Sequence, residues 1–351
     1  MKRALTAAAL VLFGALLASS VQAQEAAKQQ RQNVAILIFD GVQIIDYTGP
    51  YEVLGGMGKR HVYTVAEKPD AITTNMGMRV IPNYTFENQP KPDIIIVPGG
   101  GSSEPGEQAR GVGAQLENRK VINWIQASAK EAKYVMSVCN GAFLLAKAGL
   151  LDGLEATTTA GLVEKLRSVA TKTRVVNDKR FVDNGKIITT GGLSSGIDGA
   201  LHLIEKMDGK GWAQMSAYGI EYDWRPESGY ARASHADMKL PASIYDVIYP
   251  AFEPLSFAGG ADNWEEKWGA PSNTSAAELL ARVGEKWATD ARWTKASVSK
   301  VNNAAPASVW KLTDEKGQAW EGSASVEQAG GRLVLVLKVV RGAGGARARV
   351  N

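Results

Sequence analysis

The chain has 351 residues, 45% of them hydrophobic and 22% charged, which is enough apolar material for one large α/β domain with a smaller unit beside it and excludes broad disorder. The formal net charge of +4 is spread without a basic block, so composition offers no case for nucleic acid as a partner. A single cysteine excludes an internal disulfide, and three scattered histidines beside it have no metal-ligand spacing, so no metal is expected.

Met1-Lys2-Arg3 precedes an uncharged, mostly apolar run from Ala4 to Gln24, which closes on the small-residue pattern Val21-Gln22-Ala23. A positive start, short apolar middle and A-x-A-like end describe a signal peptide over 1–23, with cleavage after Ala23 and a periplasmic or secreted product. The alternative is an uncleaved anchor. No other segment is long and apolar enough to span a bilayer, so no membrane contact is expected after cleavage. An odd thiol in an oxidising compartment is either buried or kept for its reactivity.

Asn33–Phe39 is a nearly continuous apolar run, the pattern of a strand buried on both faces of a parallel sheet. A helix is predicted over Pro50–Met57 with proline at its start. Strands follow at His61–Ala66, at Met78–Ile81 as an edge, and at Asp93–Val97, which runs into Pro98-Gly-Gly-Gly101. A helix spans Gly113–Glu131. Lys133–Val138 then reads as a buried strand and 140–148 as a helix ending at Gly149, with Cys139 at the corner. Leu154–Thr159 is a strand, Ala160–Ala170 a helix, and Arg174–Val176, Phe181–Val182 and Lys186–Thr190 are strands. Gly191-Gly192 opens a helix through Glu205, and another covers Gly211–Tyr222.

Residues 223–274, rich in Pro, Gly and aromatics, read as a long ordered connection packing on the first domain. Ser275–Arg292 is an amphipathic helix with Ala277, Leu280, Val283 and Trp287 on one face. Val309–Leu312, Ala319–Val326 and Arg332–Val340 form a meander, making 275–341 a small α+β module; the tail 342–351 is expected to be disordered.

Alternating strands and helices over 33–222 predict a doubly wound α/β sheet, whose ligands sit beyond the carboxyl ends of the strands. Asp46, Gly99-Gly100, Cys139-Asn140, Thr158-Thr159 and Gly191-Gly192 all follow strand ends and would meet at one rim. Ser137 and Gly141, two residues either side of Cys139, are the small neighbours a nucleophile elbow requires. An elbow also sets the sulfur near a helix N-terminus, which favours the thiolate. The alternative is a small buried core cysteine.

Asp46 is the best proton partner for such a thiol, because a desolvated carboxyl can stay protonated and pass its proton on; the alternative is a helix cap. Backbone N–H groups of Gly99 and Gly100, with Asn140, would hold developing charge. Neither glycine run fits the G-x-G-x-x-G fingerprint, so no NAD and no other cofactor is expected. His61 and His202 read as structural, and His235 as a residue that could reach the rim.

Ala35–Gly41, Ile45–Leu54, Asp93–Gly101, Ser137–Ala142 with Ala148–Gly153, Ala156–Thr158 and Thr190–Asp198 together resemble the PfpI family of the glutamine-amidotransferase-like superfamily, nearest its isocyanide hydratase-like branch. The resemblance covers about 33–222. It implies a flavodoxin-like sandwich, usually dimeric, with Cys139 as nucleophile and Asp46 as its carboxyl partner. Two positions depart from the pattern: Asn140 stands where isocyanide hydratases carry Thr, and Thr159 where many relatives carry His. Absence of the histidine that protease-like members place just after the cysteine disfavours peptidase activity. That branch also supplies sensor domains to DNA-binding regulators, but no helix-turn-helix pattern follows here. The expected function is therefore cysteine-dependent addition of water to, or hydrolysis of, a small electrophile such as an isocyanide, nitrile or reactive carbonyl. The alternative is a non-catalytic small-molecule-binding or redox-sensing protein on the same fold.

Overall fold

In the computed structural model, which describes residues 31–106, 110–296 and 307–342, the apolar runs become the middle of a seven-stranded sheet. The chain divides into two units, Met1–Tyr230 and Ala231–Asn351. The expected leader over 1–23, and the tail beyond Gly342, lie outside the described residues.

In the first unit β1 (Gln32–Leu37) leads to α1 (Ile44–Gly55), β2 (Arg60–Ala66), the short strands β3 (Ile72–Thr73), β4 (Arg79–Val80) and β5 (Tyr84–Thr85), and β6 (Ile94–Val97). Helices α2 (Val112–Glu117) and α3 (Arg119–Glu131) precede β7 (Tyr134–Ser137) and α4 (Gly141–Lys147). After them come β8 (Glu155–Ala156), α5 (Val163–Val169), β9 (Arg174–Val175), β10 (Phe181–Asp183), β11 (Ile187–Thr190), α6 (Ser195–Asp208) and α7 (Lys210–Gly219). The sheet order is β10-β11-β7-β6-β1-β2-β5. Only the β10–β11 pair is antiparallel.

Every residue of β6 and β7 is buried, as a parallel strand covered on both faces requires. Ser137 pairs in register with Val97 on one side and Thr189 on the other, so β6, β7 and β11 end level with one another. Their following loops therefore open at the same rim, where ligands of open α/β sheets bind.

Four local predictions change. The first helix begins at Ile44, and Pro50 lies inside it rather than at its start. Proline cannot supply the N–H that would bond the Asp46 carbonyl, and the Thr48 hydroxyl meanwhile donates to Ile44 O at 2.8 Å. The helix predicted over 113–131 breaks at Asn118, whose side chain accepts from the N–H groups of Lys120 and Val121 and caps α3. The strand predicted at 78–81 pairs with β3 in a separate ribbon, and β5 forms the sheet edge instead. Of 154–159 only Glu155–Ala156 is strand, pairing with β9 beside the main sheet.

Residues 223–230 stay with the first unit, and 231–274 belong to the second and do not remain an irregular connection. After α8 (Tyr245–Ile248) they supply β12 (Glu253–Gly259) and β13 (Asn263–Gly269). With β14 (Thr294–Ala296), β15 (Ala307–Thr313), β16 (Ala319–Ala329) and β17 (Arg332–Arg341) these build an antiparallel sheet ordered β12-β13-β17-β16-β15-β14. Helix α9 (Ala276–Ala288) buries Val283 and Trp287 of the predicted face, with Leu280 half-buried against the same core, while Leu279 is buried and Ala277 is exposed. Trp287 stacks flat on Trp310 at 4.2 Å between centroids. Glu266 is buried beside this core and accepts from Tyr245 Oη at 2.7 Å, Trp264 Nε1 at 3.1 Å and Trp268 Nε1 at 3.0 Å.

Candidate active site

Cys139 turns the chain from β7 into α4 with φ 57°, a left-handed conformation rare for a residue with a side chain. Three hydrogen bonds hold the corner. The Cys139 N–H donates to Gly191 O at 3.0 Å, and the Gly141 N–H to Val138 O at 3.0 Å. The Thr158 hydroxyl donates to Cys139 O at 2.8 Å. A Cβ on Gly141 would stand 2.1 Å from Val97 O, so only glycine lets the helix start this close to β6. The Ser137 hydroxyl, two residues before the corner, is buried with no partner among the described residues.

Asp46 sits in the first turn of α1 and is fully buried. Its Oδ2 accepts from the Gly99 N–H at 3.2 Å. The Leu193 N–H and the Cys139 thiol also donate toward the carboxyl, at geometries that leave Oδ1 without a full hydrogen bond. Burial dominates these donors and pushes the carboxyl from 3.8 up to about 7.

The sulfur is surrounded closely. The Asn140 N–H and the Thr159 hydroxyl both reach it, and each favours the thiolate. Burial and then the Asp46 charge outweigh them, and the thiol is pushed from 9.0 up to about 12. This corrects the expectation of a thiolate favoured by the helix N-terminus. At neutral pH the sulfur instead keeps its own proton, and the carboxyl beside it is partly protonated.

Gly192 closes over the same sulfur. A Cβ there would stand 2.5 Å from Thr159 Oγ1 and 3.7 Å from Cys139 Sγ, so glycine keeps the space above the nucleophile open. Gly191 contributes its carbonyl to the corner, and its N–H donates to Arg180 O at 2.8 Å.

The predicted charge-holding donors are brought to the rim but are already engaged. The Gly99 N–H serves Asp46, and the Gly100 N–H donates to Asn140 Oδ1 at 2.8 Å. Asn140 Nδ2 donates to Gly101 O at 3.1 Å and to Ser103 Oγ at 3.0 Å. The Asn140 amide is thus spent on pinning the glycine loop. What faces the sulfur from this residue is its backbone N–H.

Neither histidine of the first unit is among the groups that reach Cys139 or Asp46. His61 meets Asn33 Oδ1 at 3.3 Å, and His202 meets Asp183 Oδ2 at 2.9 Å. His235 belongs to the second unit, where its ring lies against Trp264. No group of three or more His, Cys, Asp or Glu among the described residues is arranged to hold a metal.

The DJ-1/PfpI family pattern matches residues 32–206. An isonitrile hydratase from Pseudomonas putida is 36% identical over 256 residues, covering 72% of this chain and 96% of its own. The chain belongs to the DJ-1/PfpI family. A solved ThiJ/PfpI family protein from Pseudomonas syringae superposes with a TM-score of 0.50 at 26% identity, over 56% of this chain and 78% of that one. The HTH-type transcriptional regulator GbdR of Pseudomonas aeruginosa is 26% identical over 190 residues, 51% of this chain and 47% of the regulator.

Within the family frame, Cys139 and Asp46 occupy the positions the resemblance assigns to nucleophile and carboxyl partner, and the fold places them side by side. Thr159, standing where many relatives carry His, contributes a hydroxyl to the sulfur instead of an imidazole. Two contributors escaped sequence reasoning, the Leu193 N–H at Asp46 and Ser103, whereas Gly191 was expected at the rim and supplies a carbonyl there. Leu193 lies inside the Thr190–Asp198 motif, and its φ of 56° is what turns the loop at that point. Nothing in the sequence marks Ser103.

Proposed function

We propose that this chain is an exported cysteine-dependent hydratase that adds water to a small electrophile, with an isonitrile as the best-supported substrate class and a nitrile or reactive carbonyl as neighbouring candidates. The observation that carries the reading is the pair itself: a partly exposed thiol shares a site with a fully buried carboxyl, and that carboxyl is pushed up to about 7, where a proton shuttle works best at neutral pH. The 36% identity to an isonitrile hydratase supports the substrate class.

With an isonitrile the steps balance as follows. Cys139 sulfur adds to the terminal carbon, and the thiol proton passes through Asp46 to that carbon, giving a thioimidate. Water then adds across the C=N bond, its hydroxyl to carbon and its other proton to nitrogen. Collapse of this adduct expels sulfur, and the hydroxyl proton returns to it through Asp46. The product is an N-substituted formamide and the enzyme is restored. In this scheme the Asn140 N–H and Thr159 hydroxyl steady charge on sulfur as it enters and leaves.

The test is turnover of alkyl isonitriles to formamides by mature protein, with Cys139→Ser and Asp46→Asn beside it. Formamide production by wild type alone supports the reading; equal production by Cys139→Ser sinks it. The non-catalytic alternative has one observation in its favour, the hydroxyl of Thr159 where many relatives place an imidazole. Its redox-sensing form is tested by peroxide treatment and intact mass, and fails if Cys139 stays unmodified at doses that oxidise free thiols. Export rests on the residue pattern over 1–23 and is tested by N-terminal sequencing of secreted or periplasmic protein. A homodimer rests on the family resemblance and is tested by light scattering in solution.

A further inference from the structure

A cavity of about 400 Å³ lies between α2, α4 and α5 in the first unit, within the range of about 300–1,000 Å³ usual for small-molecule sites. It is separate from the thiol site: neither Cys139, Asp46, Thr159 nor Gly192 lines it. One wall is apolar, built from Leu116, Phe143 and Val169. Val169 is 59% exposed, so part of that wall lacks a protein partner.

The charged side of the cavity is unequal. Lys147 and Lys165 face one acid, Glu104. Lys165 is paired with Glu104, whereas Lys147 makes no ion pair among the described residues. Lys147 stands in the last turn of α4, where the helix dipole keeps it charged but also opposes an anion, so the head of a ligand must meet the ammonium on the side away from the helix end. The cavity therefore offers an apolar surface and one spare positive charge.

We infer that this cavity is a second ligand site, for a small amphipathic carboxylate whose chain lies on Leu116, Phe143 and Val169 and whose head meets Lys147. The site also has a route to the nucleophile. Ser103 lines the cavity and accepts from Asn140 Nδ2 at 3.0 Å, and Asn140 is the residue after Cys139 and the clamp on Gly100. A ligand that moves Ser103 is thus felt at the elbow, and the coupling is reciprocal. The inference does not rest on the hydratase reading, because neither of its readouts requires turnover.

The experiment is calorimetric titration of the full mature chain with octanoate, and with acetate and octylammonium as probes that lack the tail or invert the head. Octanoate is expected to bind at least about tenfold tighter than either. Lys147→Glu and Val169→Asp, both at exposed positions that the fold tolerates, are each expected to weaken octanoate about tenfold. Saturating octanoate is expected to change the alkylation rate of Cys139 by about threefold, and Ser103→Ala to abolish that change while still binding. No octanoate binding, equal affinity for octylammonium, or affinity unaltered in Lys147→Glu would overturn the site. Binding that leaves alkylation unchanged would overturn the coupling.

Discussion

Replacing Asp46 with Asn tests the electrostatics of the thiol site most directly. The substitution keeps the side-chain volume and an acceptor for the Gly99 N–H, and removes the charge and the titratable proton, with an NH2 donor in place of one oxygen. In the wild type, burial and then the Asp46 charge carry the thiol from 9.0 to about 12. A rise of about three pH units leaves roughly a thousandfold less thiolate at a given pH, a cost of about 4 kcal/mol. Burial remains in Asp46→Asn, so the thiol should come down part of the way and stay above 9. The assay is iodoacetamide alkylation followed by intact mass over a pH series. One cysteine makes the reading unambiguous. Wild type should alkylate slowly below about pH 10, and Asp46→Asn about tenfold faster at the same pH, for a fall of about one pH unit in the midpoint. Isonitrile turnover should move oppositely, falling by about a hundredfold or more as the proton shuttle is lost. A wild-type midpoint at or below 9, or identical alkylation by the two proteins, would refute the reasoning, since the carboxylate would then exert no field on the sulfur.

Three further outcomes can be checked. Asp46 rises from 3.8 to about 7 on folding, so the folded state keeps its proton to higher pH than the unfolded chain; the stability linked to it is complete below about pH 4 and is lost as pH rises through about 7, on the order of 4 kcal/mol. Thermal melts at pH 5 and pH 8 should accordingly show wild type losing stability relative to Asp46→Asn, and parallel behaviour would contradict the raised carboxyl. Gly141→Ala sets a Cβ 2.1 Å from Val97 O and 2.8 Å from Pro98 O, both backbone atoms of a buried loop; a loss of about 3 kcal/mol or more in denaturant unfolding is expected, and wild-type stability would show that α4 can shift freely. Glu266→Gln turns one acceptor into a donor facing Trp and Tyr donors, which should cost about 2 kcal/mol in melting experiments. A neutral result there would mean that the three donors find other acceptors.

How far residue patterns carried is uneven. The central strands were legible because both faces of a parallel sheet are covered, so Ile94–Val97 reads as an unbroken apolar run after Asp93 and is buried throughout. Cys139 was legible because an elbow imposes small residues at fixed offsets, and Gly141 meets that demand literally. Strand β12 was hidden for the opposite reason: all seven of its residues are exposed, so no buried face imposes an alternation. Donor availability was not legible either. A sequence shows that Gly99, Gly100 and Asn140 carry N–H groups, but not that Asp46, Asn140 Oδ1 and Ser103 already occupy them. The direction of the thiol shift failed similarly, because helix position can be read from sequence and desolvation by residues distant along the chain cannot.

The solitary sulfur also limits how this protein can be joined to anything by a covalent bridge. Any disulfide between two copies, or to a small thiol, must be made at Cys139. The Thr159 hydroxyl reaches that atom, which is only partly exposed, and the corner that carries it is tied to Gly191 and Thr158. A bridge between two copies would have to form at this partly exposed, hydrogen-bonded turn. Copies of the chain should therefore stay unlinked on non-reducing gels after storage in air, and no reductant or disulfide-forming host should be needed to prepare the fold.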